Sequence, residues 1–199
     1  MVGNTEMHMR DAEATRRRIL DAAREEFSKF GPAGARINRI AAASGANKER
    51  IYANFGSKEG LFEAVMSDTL AAHSDTVGEW GESAADLVDR LQQTHERSPE
   101  LLRLMLWEAL EFGSDPVPDE EKRRAYYRQR VSALQKAFGL DSETDSAAAL
   151  LTLIGLAAWP AAMPQLKKML IPEGQAAAFE TAQCELAHRI AKTVLGSKR

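Results

Sequence analysis

Residues 36–58 constrain this chain more than any other stretch: Arg-Ile-Asn-Arg-Ile-Ala-Ala-Ala-Ser-Gly-Ala-Asn-Lys-Glu-Arg-Ile-Tyr-Ala-Asn-Phe-Gly-Ser-Lys. They read as two short helices joined by a tight turn, then a second turn that starts a longer helix. Ile40, Ala41, Ala46, Ile51 and Phe55 are the apolar positions. Ala41 and Gly45 are small where two helices must approach closely, and Gly45 can take the left-handed conformation such a turn needs. Asn47 is a good N-cap for the second of the two helices. The pattern is a helix-turn-helix, and it implies DNA.

The charge distribution agrees. Over the whole chain of 199 residues the net charge is −3, which evenly spread would argue against nucleic acid. Residues 1–60 hold 11 lysines and arginines against 8 acids, whereas residues 61–199 hold 15 against 21. The basic excess therefore lies with the helix-turn-helix, where phosphates would need it.

The rest of the chain reads as helix after helix. Asp11 is positioned to cap a first helix running to about Phe30, stopped by Gly31-Pro32, with Met1–Met9 as a loose polar arm. Arg16, Arg17 and Arg18 then fall near the start of that helix, where the dipole disfavours cations unless phosphates are their neighbours. Ser57 caps a fourth helix carrying Leu61, Phe62, Val65 and Leu70, with Gly78 and Gly81 at its end. Ser83 opens a fifth with Leu87, Val88 and Leu91. Ser98-Pro99-Glu100 starts a sixth that ends at Gly113. A seventh carries Tyr127, Val131, Leu134 and Phe138 on one face and stops at Gly139. Asp141-Ser142 caps an eighth, rich in alanine and leucine, and Pro172-Glu173-Gly174 introduces a ninth reaching Leu195. Pro160 and Pro164 are expected to break or kink the eighth helix and so to open space beside it. No strand and no tandem repeat is expected. The fold class is all-α with about nine helices.

Several functions are argued against. Ala147–Ala162, the longest apolar run, is interrupted by Thr152 and Pro160 and reads as too short and weak to span a membrane. The N-terminus lacks a signal pattern, and the single cysteine, Cys184, suits a reducing cytoplasm. No glycine elbow surrounds a serine, His95 and His188 both read as far in sequence from Cys184, and no cluster is expected to have metal-ligand spacing. The chain is expected to be no enzyme and to use no metal or cofactor.

The order of parts resembles the TetR family of bacterial transcriptional regulators. Ile19-Leu20-Asp21-Ala22-Ala23, Phe27, Gly31, Ile40-Ala41, Ser44-Gly45, Ile51-Tyr52, Phe55, Ser57-Lys58-Glu59 and Leu61 carry the likeness, over roughly residues 15–65. One departure is visible: Ala35 and Arg36 stand where the family has hydroxyl residues that cap the second helix and touch phosphate. That helix should be held differently here.

The resemblance implies a DNA-binding domain over residues 1–58 and a helical effector-binding and dimerisation domain over 59–199. It places Lys48, Glu49 and Arg50 in the major groove, with Asn54 one turn on and Asn38 of the second helix in reach. Arg or Lys can donate to guanine, Glu can accept from cytosine, and Asn pairs with adenine. Tyr52 and Lys58 are expected at phosphate or sugar, with Arg36 and Asn47 completing the DNA-binding set. A single small reader makes few contacts, so a palindromic double-stranded operator read by a homodimer is implied. The last two helices are its expected surface, because Ala147–Ala158 leaves little polar face. His95, Trp107, Phe112, Tyr126, Tyr127, Trp159 and Met163 are candidate linings for a small apolar or aromatic effector that releases DNA. The alternative is a DNA-binding dimer governed by a protein partner or not gated by ligand.

Overall fold

The computed structural model describes residues 2–74 and 83–196. Ten α-helices and no strand occur among the described residues. They are α1 (Val2–Gly34), α2 (Ile37–Ser44), α3 (Lys48–Phe55), α4 (Lys58–Ser74), α5 (Ala84–Arg97), α6 (Pro99–Phe112), α7 (Glu120–Phe138), α8 (Glu143–Ala162), α9 (Pro164–Leu170) and α10 (Ala176–Leu195).

Two compact units divide the chain. One takes residues up to 73 together with 103–118; the other takes 74–102 together with 119 onward. The first unit closes around Ile19, Ala23, Phe27, Ile40, Ile51, Leu61, Met66 and Leu104, all fully buried. Phe27 and Phe62 meet edge to face with ring centroids 5.2 Å apart, which locks α1 to α4 at the middle of that core. The second unit is a bundle in which α5 packs on α8 and α10, and α8 also packs on α7. Its centre is Leu87, Val88, Leu134, Leu153 and Ala191. Ala149 and Ala157 of α8 and Ala187 and Ala191 of α10 are buried in the same cluster, small enough to bring helix backbones close.

Helix signals at the ends of these elements work as their chemistry requires. The Ser83 hydroxyl accepts from the Asp86 amide while the Asp86 carboxylate accepts from the Ser83 amide, a reciprocal box at the start of α5. Ser142 accepts from the Asp145 amide at 3.0 Å and starts α8.

Four expectations need correction. Asp11 caps nothing at a helix start: α1 already runs from Val2, and the Asp11 carbonyl accepts from the Thr15 hydroxyl inside it. The expected arm contains no proline, and Glu6, Met7 and Met9 next to Asp11 are good helix formers, so no breaker stops the helix from extending upstream. Arg16, Arg17 and Arg18 consequently sit mid-helix, away from the unfavourable end of the dipole. Pro160 does not end α8; the break falls at Met163, and Pro164 takes the first position of a separate short helix, α9, where its missing N–H costs nothing. This accounts for ten helices instead of nine. Finally, α8 at 20 residues is long and apolar enough, by length and composition alone, to cross a membrane. Its apolar character has a sufficient cause in the bundle, where Ala149, Leu150, Leu153 and Ala157 are buried. Gly78 and Gly81 lie outside the described residues.

Candidate nucleic-acid interface

The turn between α2 and α3 is set by Gly45, at φ 68° and ψ 17°. A Cβ there would meet nothing within 4 Å, so glycine is favoured by backbone conformation and not by crowding. Asn47 then caps α3, its Oδ1 accepting from the Arg50 amide at 2.8 Å. Ile51 is fully buried and pins α3 to the core, with Ala46 and Phe55 packed beside it. With Ile51 turned inward, Lys48, Glu49, Arg50, Tyr52, Ala53 and Asn54 are all exposed. Arg36 and Asn38 of the α2 region are exposed too, and Lys58 is half-buried. Asn54 is partly committed, because its Nδ2 donates to the Arg50 carbonyl at 2.7 Å.

The way out of α3 is equally constrained. Gly56 lies at φ 75° and ψ −61°, and the Ser57 amide donates to the Phe55 carbonyl at 2.9 Å, closing a three-residue γ-turn that needs positive φ. The Ser57 hydroxyl accepts from the Gly60 amide at 3.0 Å and so caps α4. Gly60 has to be glycine, since a Cβ would stand 2.3 Å from the Phe55 carbonyl oxygen. The Glu59 carboxyl is held below its usual range by its own backbone amide and the Ser57 hydroxyl, with Lys58 adding to the effect. Lys58 begins α4, at the positive end of that helix's dipole, a position suited to a phosphate.

The missing cap of α2 has a replacement from another helix. Arg36 makes no side-chain cap bond. Instead its backbone amide donates to Glu26 Oε1 of α1 at 2.8 Å, and Arg39 Nε donates to the same carboxylate at 2.7 Å. Arg39 also lies over the Phe30 ring, 4.2 Å from its centroid. Burial pushes the Glu26 carboxyl up, but the bonds from Arg39 and Arg36 and their positive charges outweigh it and hold the carboxyl below its usual value. The start of α2 is therefore fixed by a buried carboxylate ten residues upstream. Nothing in local capping patterns reveals this, since the acceptor lies on a different helix.

A second tie escaped the sequence reading. Pro32 has no N–H, so the Ser28 carbonyl four residues earlier has no intrahelical donor. Arg103 Nε donates to it at 2.7 Å, and Trp107 Nε1 at 3.4 Å. The Trp107 ring rests on Gly31, where a Cβ would come within 2.8 Å of it. Gly31 itself lies at φ 68° and ψ 172°, a region open to glycine almost alone. The spacing Ser28–Pro32 was the available signal. Farther toward the start of α1, Arg24 and Arg17 both reach Asp68 of α4, at 2.7 and 2.9 Å. Arg16 lies over the Phe55 ring, 4.6 Å from its centroid, and so stands beside the end of α3.

The candidate effector residues are not all in one unit. Trp107 and Phe112 belong to the first, where Trp107 packs as described and Phe112 lies against the core. His95, Tyr126, Tyr127, Trp159 and Met163 belong to the second. There His95 is buried, Tyr126 and Tyr127 meet edge to face at 5.2 Å, and Trp159 and Met163 are exposed.

Comparison with known proteins bears on both units. The family of bacterial regulatory proteins called tetR matches residues 19–65, and a tetracyclin repressor-like C-terminal domain matches residues 84–192. The transcriptional repressor SCO4008 of Streptomyces coelicolor is 39% identical over 173 residues, covering 85% of this chain and 90% of that protein. The transcriptional repressor NicS of Pseudomonas putida is 33% identical over 116 residues, 55% of each chain. Among solved structures, SCO4942 of Streptomyces coelicolor superposes with a TM-score of 0.71 at 26% identity, covering 90% of this chain and 97% of that one.

Proposed function

The chain belongs to the TetR family of bacterial regulatory proteins and is a DNA-binding transcriptional regulator, not an enzyme; on that premise we propose that it represses transcription as a homodimer on a palindromic operator and is released by a small molecule. The observation that carries the reading is the exposed row Lys48, Glu49, Arg50, Tyr52 and Asn54 on a helix pinned by buried Ile51. In this reading Arg50, Lys48 and Glu49 meet base edges, with Asn38 and Asn54 beside them. Tyr52, Lys58, Arg36 and Arg16 meet the backbone and set register, and Asn47 contributes mainly by capping α3.

The homodimer forms through α8 and α10. Ala148, Leu151, Thr152, Gly155 and Trp159 make an exposed stripe along α8, and Ala178, Ala182 and Leu186 make one along α10. Leu151 is 73% exposed and Leu186 48%, on helices whose other faces are already buried in the bundle. Small residues between large ones suit close helix packing against a second copy. Two readers are then set to match half-sites about 34–36 Å apart, one turn of duplex.

Release follows from how α4 is held. Phe62 on Phe27 and Asp68 on Arg24 and Arg17 tie α4 to α1, so that an effector which shifts α4 carries α1–α3 with it. A coupling of about 1–3 kcal/mol is enough to weaken operator binding several-fold to a hundredfold. The effector is a small apolar or aromatic molecule taken up by the helical domain, and the protein acts in the cytoplasm, where the operator is.

Selection of bound fragments from the source genome yields the operator, and single-base variants of it then test the readout. Arg50→Ala is expected to change the preferred base, while Tyr52→Ala and Lys58→Ala lower affinity for all variants alike. An unchanged preference in the Arg50 variant would remove it from base readout.

A further inference from the structure

Three side chains with no part in DNA reading meet on the seam between α5 and α10. Cys184 and His188 stand one turn apart on α10, and Asp89 faces them from α5. His188 Nε2 is 2.6 Å from Asp89 Oδ1 and 3.6 Å from Cys184 Sγ, and the three donor atoms all lie within 4.8 Å of one another. The absence of metal-ligand spacing expected above is therefore corrected: a cysteine and a histidine four residues apart share one helix face.

The geometry separates a metal site from a nucleophile. In a catalytic relay the carboxylate would hold Nδ1 while the thiol faced Nε2. Here the carboxylate and the thiol converge on the same nitrogen, so neither can orient the ring for the other. The Cys184 thiol is, moreover, pushed up by burial and by the negative charges of Asp89 and Glu185, the reverse of an activated cysteine.

We propose that Asp89, Cys184 and His188 form a three-ligand site for a thiophilic divalent transition-metal ion of the zinc class. An ion bound tetrahedrally at about 2.3 Å from sulfur and about 2.0 Å from nitrogen separates those two atoms by roughly 3.5 Å. The observed 3.6 Å between Sγ and Nε2 meets that requirement without movement. The Asp89–His188 pair must open from 2.6 Å to roughly 3.3 Å, because an ion replaces the proton now shared between them. Coordination displaces both the thiol proton and the proton between His188 and Asp89 to solvent, and the imidazole binds neutral with a proton on Nδ1. The positive ion reverses the electrostatics that now disfavour the thiolate. Sulfur and nitrogen donors select against magnesium and calcium. His188 is 27% exposed and Asp89 39%, which leaves an entry path and room for water as a fourth ligand. Such an ion would pin α5 to α10 independently of whatever the helical domain binds.

Cobalt(II) chloride titrated into the full-length, chelator-treated protein tests this directly, with a readout unrelated to DNA binding. The expected result is one equivalent per chain, with thiolate-to-cobalt absorption in the near ultraviolet that zinc chloride abolishes by competition. Cys184→Ser should lose that band, and His188→Gln and Asp89→Asn should weaken binding at least tenfold. No cobalt spectrum from the parent protein at micromolar concentrations overturns the site and leaves the three residues as an ion pair beside a thiol. An equal spectrum in all three variants, with their helical circular dichroism unchanged, overturns it as well by placing the metal elsewhere.

Discussion

The two units of this protein are held together in different ways. In the first, an apolar centre is closed by charged and polar ties between named side chains: Glu26 to the start of α2, Arg103 and Trp107 to the Ser28 carbonyl, Asp68 to Arg17 and Arg24. In the second, α5, α7, α8 and α10 share a core of leucine, valine and alanine, and large apolar side chains are left on the outside of α8 and α10. The first arrangement fixes helix positions by directional bonds that few other residues can make. The second rests mainly on volume and apolarity, which many sequences supply, with Asp89–His188 as a polar tie between α5 and α10. A DNA-binding unit that must hold its helices in fixed positions benefits from the first kind; a bundle proposed to take a small molecule and a second copy tolerates the other.

Substitutions can break that contrast. The largest effect is expected at Gly31→Ala, which puts a side chain at φ 68° and drives it against Trp107. Backbone strain and overpacking together should cost about 3–5 kcal/mol, read from urea unfolding. Glu26→Gln comes next, at about 2 kcal/mol, since it weakens charge-assisted bonds to Arg39 and to the α2 amide. Its pH dependence is a sharper test. The Glu26 carboxyl is lowered in the folded state, so its contribution is fully present above the ordinary glutamate value of about 4.3. That contribution is lost as pH falls through the lowered folded value, and the Gln variant should lack this part of the acid limb of the stability curve.

Arg103→Ala should cost about 1–2 kcal/mol by leaving the Ser28 carbonyl with only the longer Trp107 bond. Leu151→Glu, on the outer stripe of α8, is expected to change the stability of the single chain by less than about 0.5 kcal/mol. The same change should convert a dimer to monomers in light scattering. If it instead unfolds the chain, the outer stripe is part of the intramolecular core and the contrast between the units fails.

Much of the helix-turn-helix geometry was legible because its determinants are local. Gly45, Asn47, Ile51 and Ser57 each act within a turn or a cap, and their chemistry specifies the conformation of their own neighbours. Glu26 was not legible as a cap because its partner is ten residues away on another helix. Arg103 was missed because its acceptor is a carbonyl orphaned by a proline 71 residues earlier in the chain. Cys184 and His188 could have been read as one face of a helix, but Asp89 joins them only through the packing of α5 on α10.

By itself, then, the amino-acid sequence determined the helical periodicity, most of the helix ends and the reader motif, since these depend on side chains within a few residues of one another. It also determined the family. Only the tertiary structure decided what holds α2 in place, why Trp107 lies on Gly31, and which three side chains of the bundle come within reach of a single ion. Those are contacts between residues far apart in the chain, and their pairing is set by how whole helices pack, which no local spacing records.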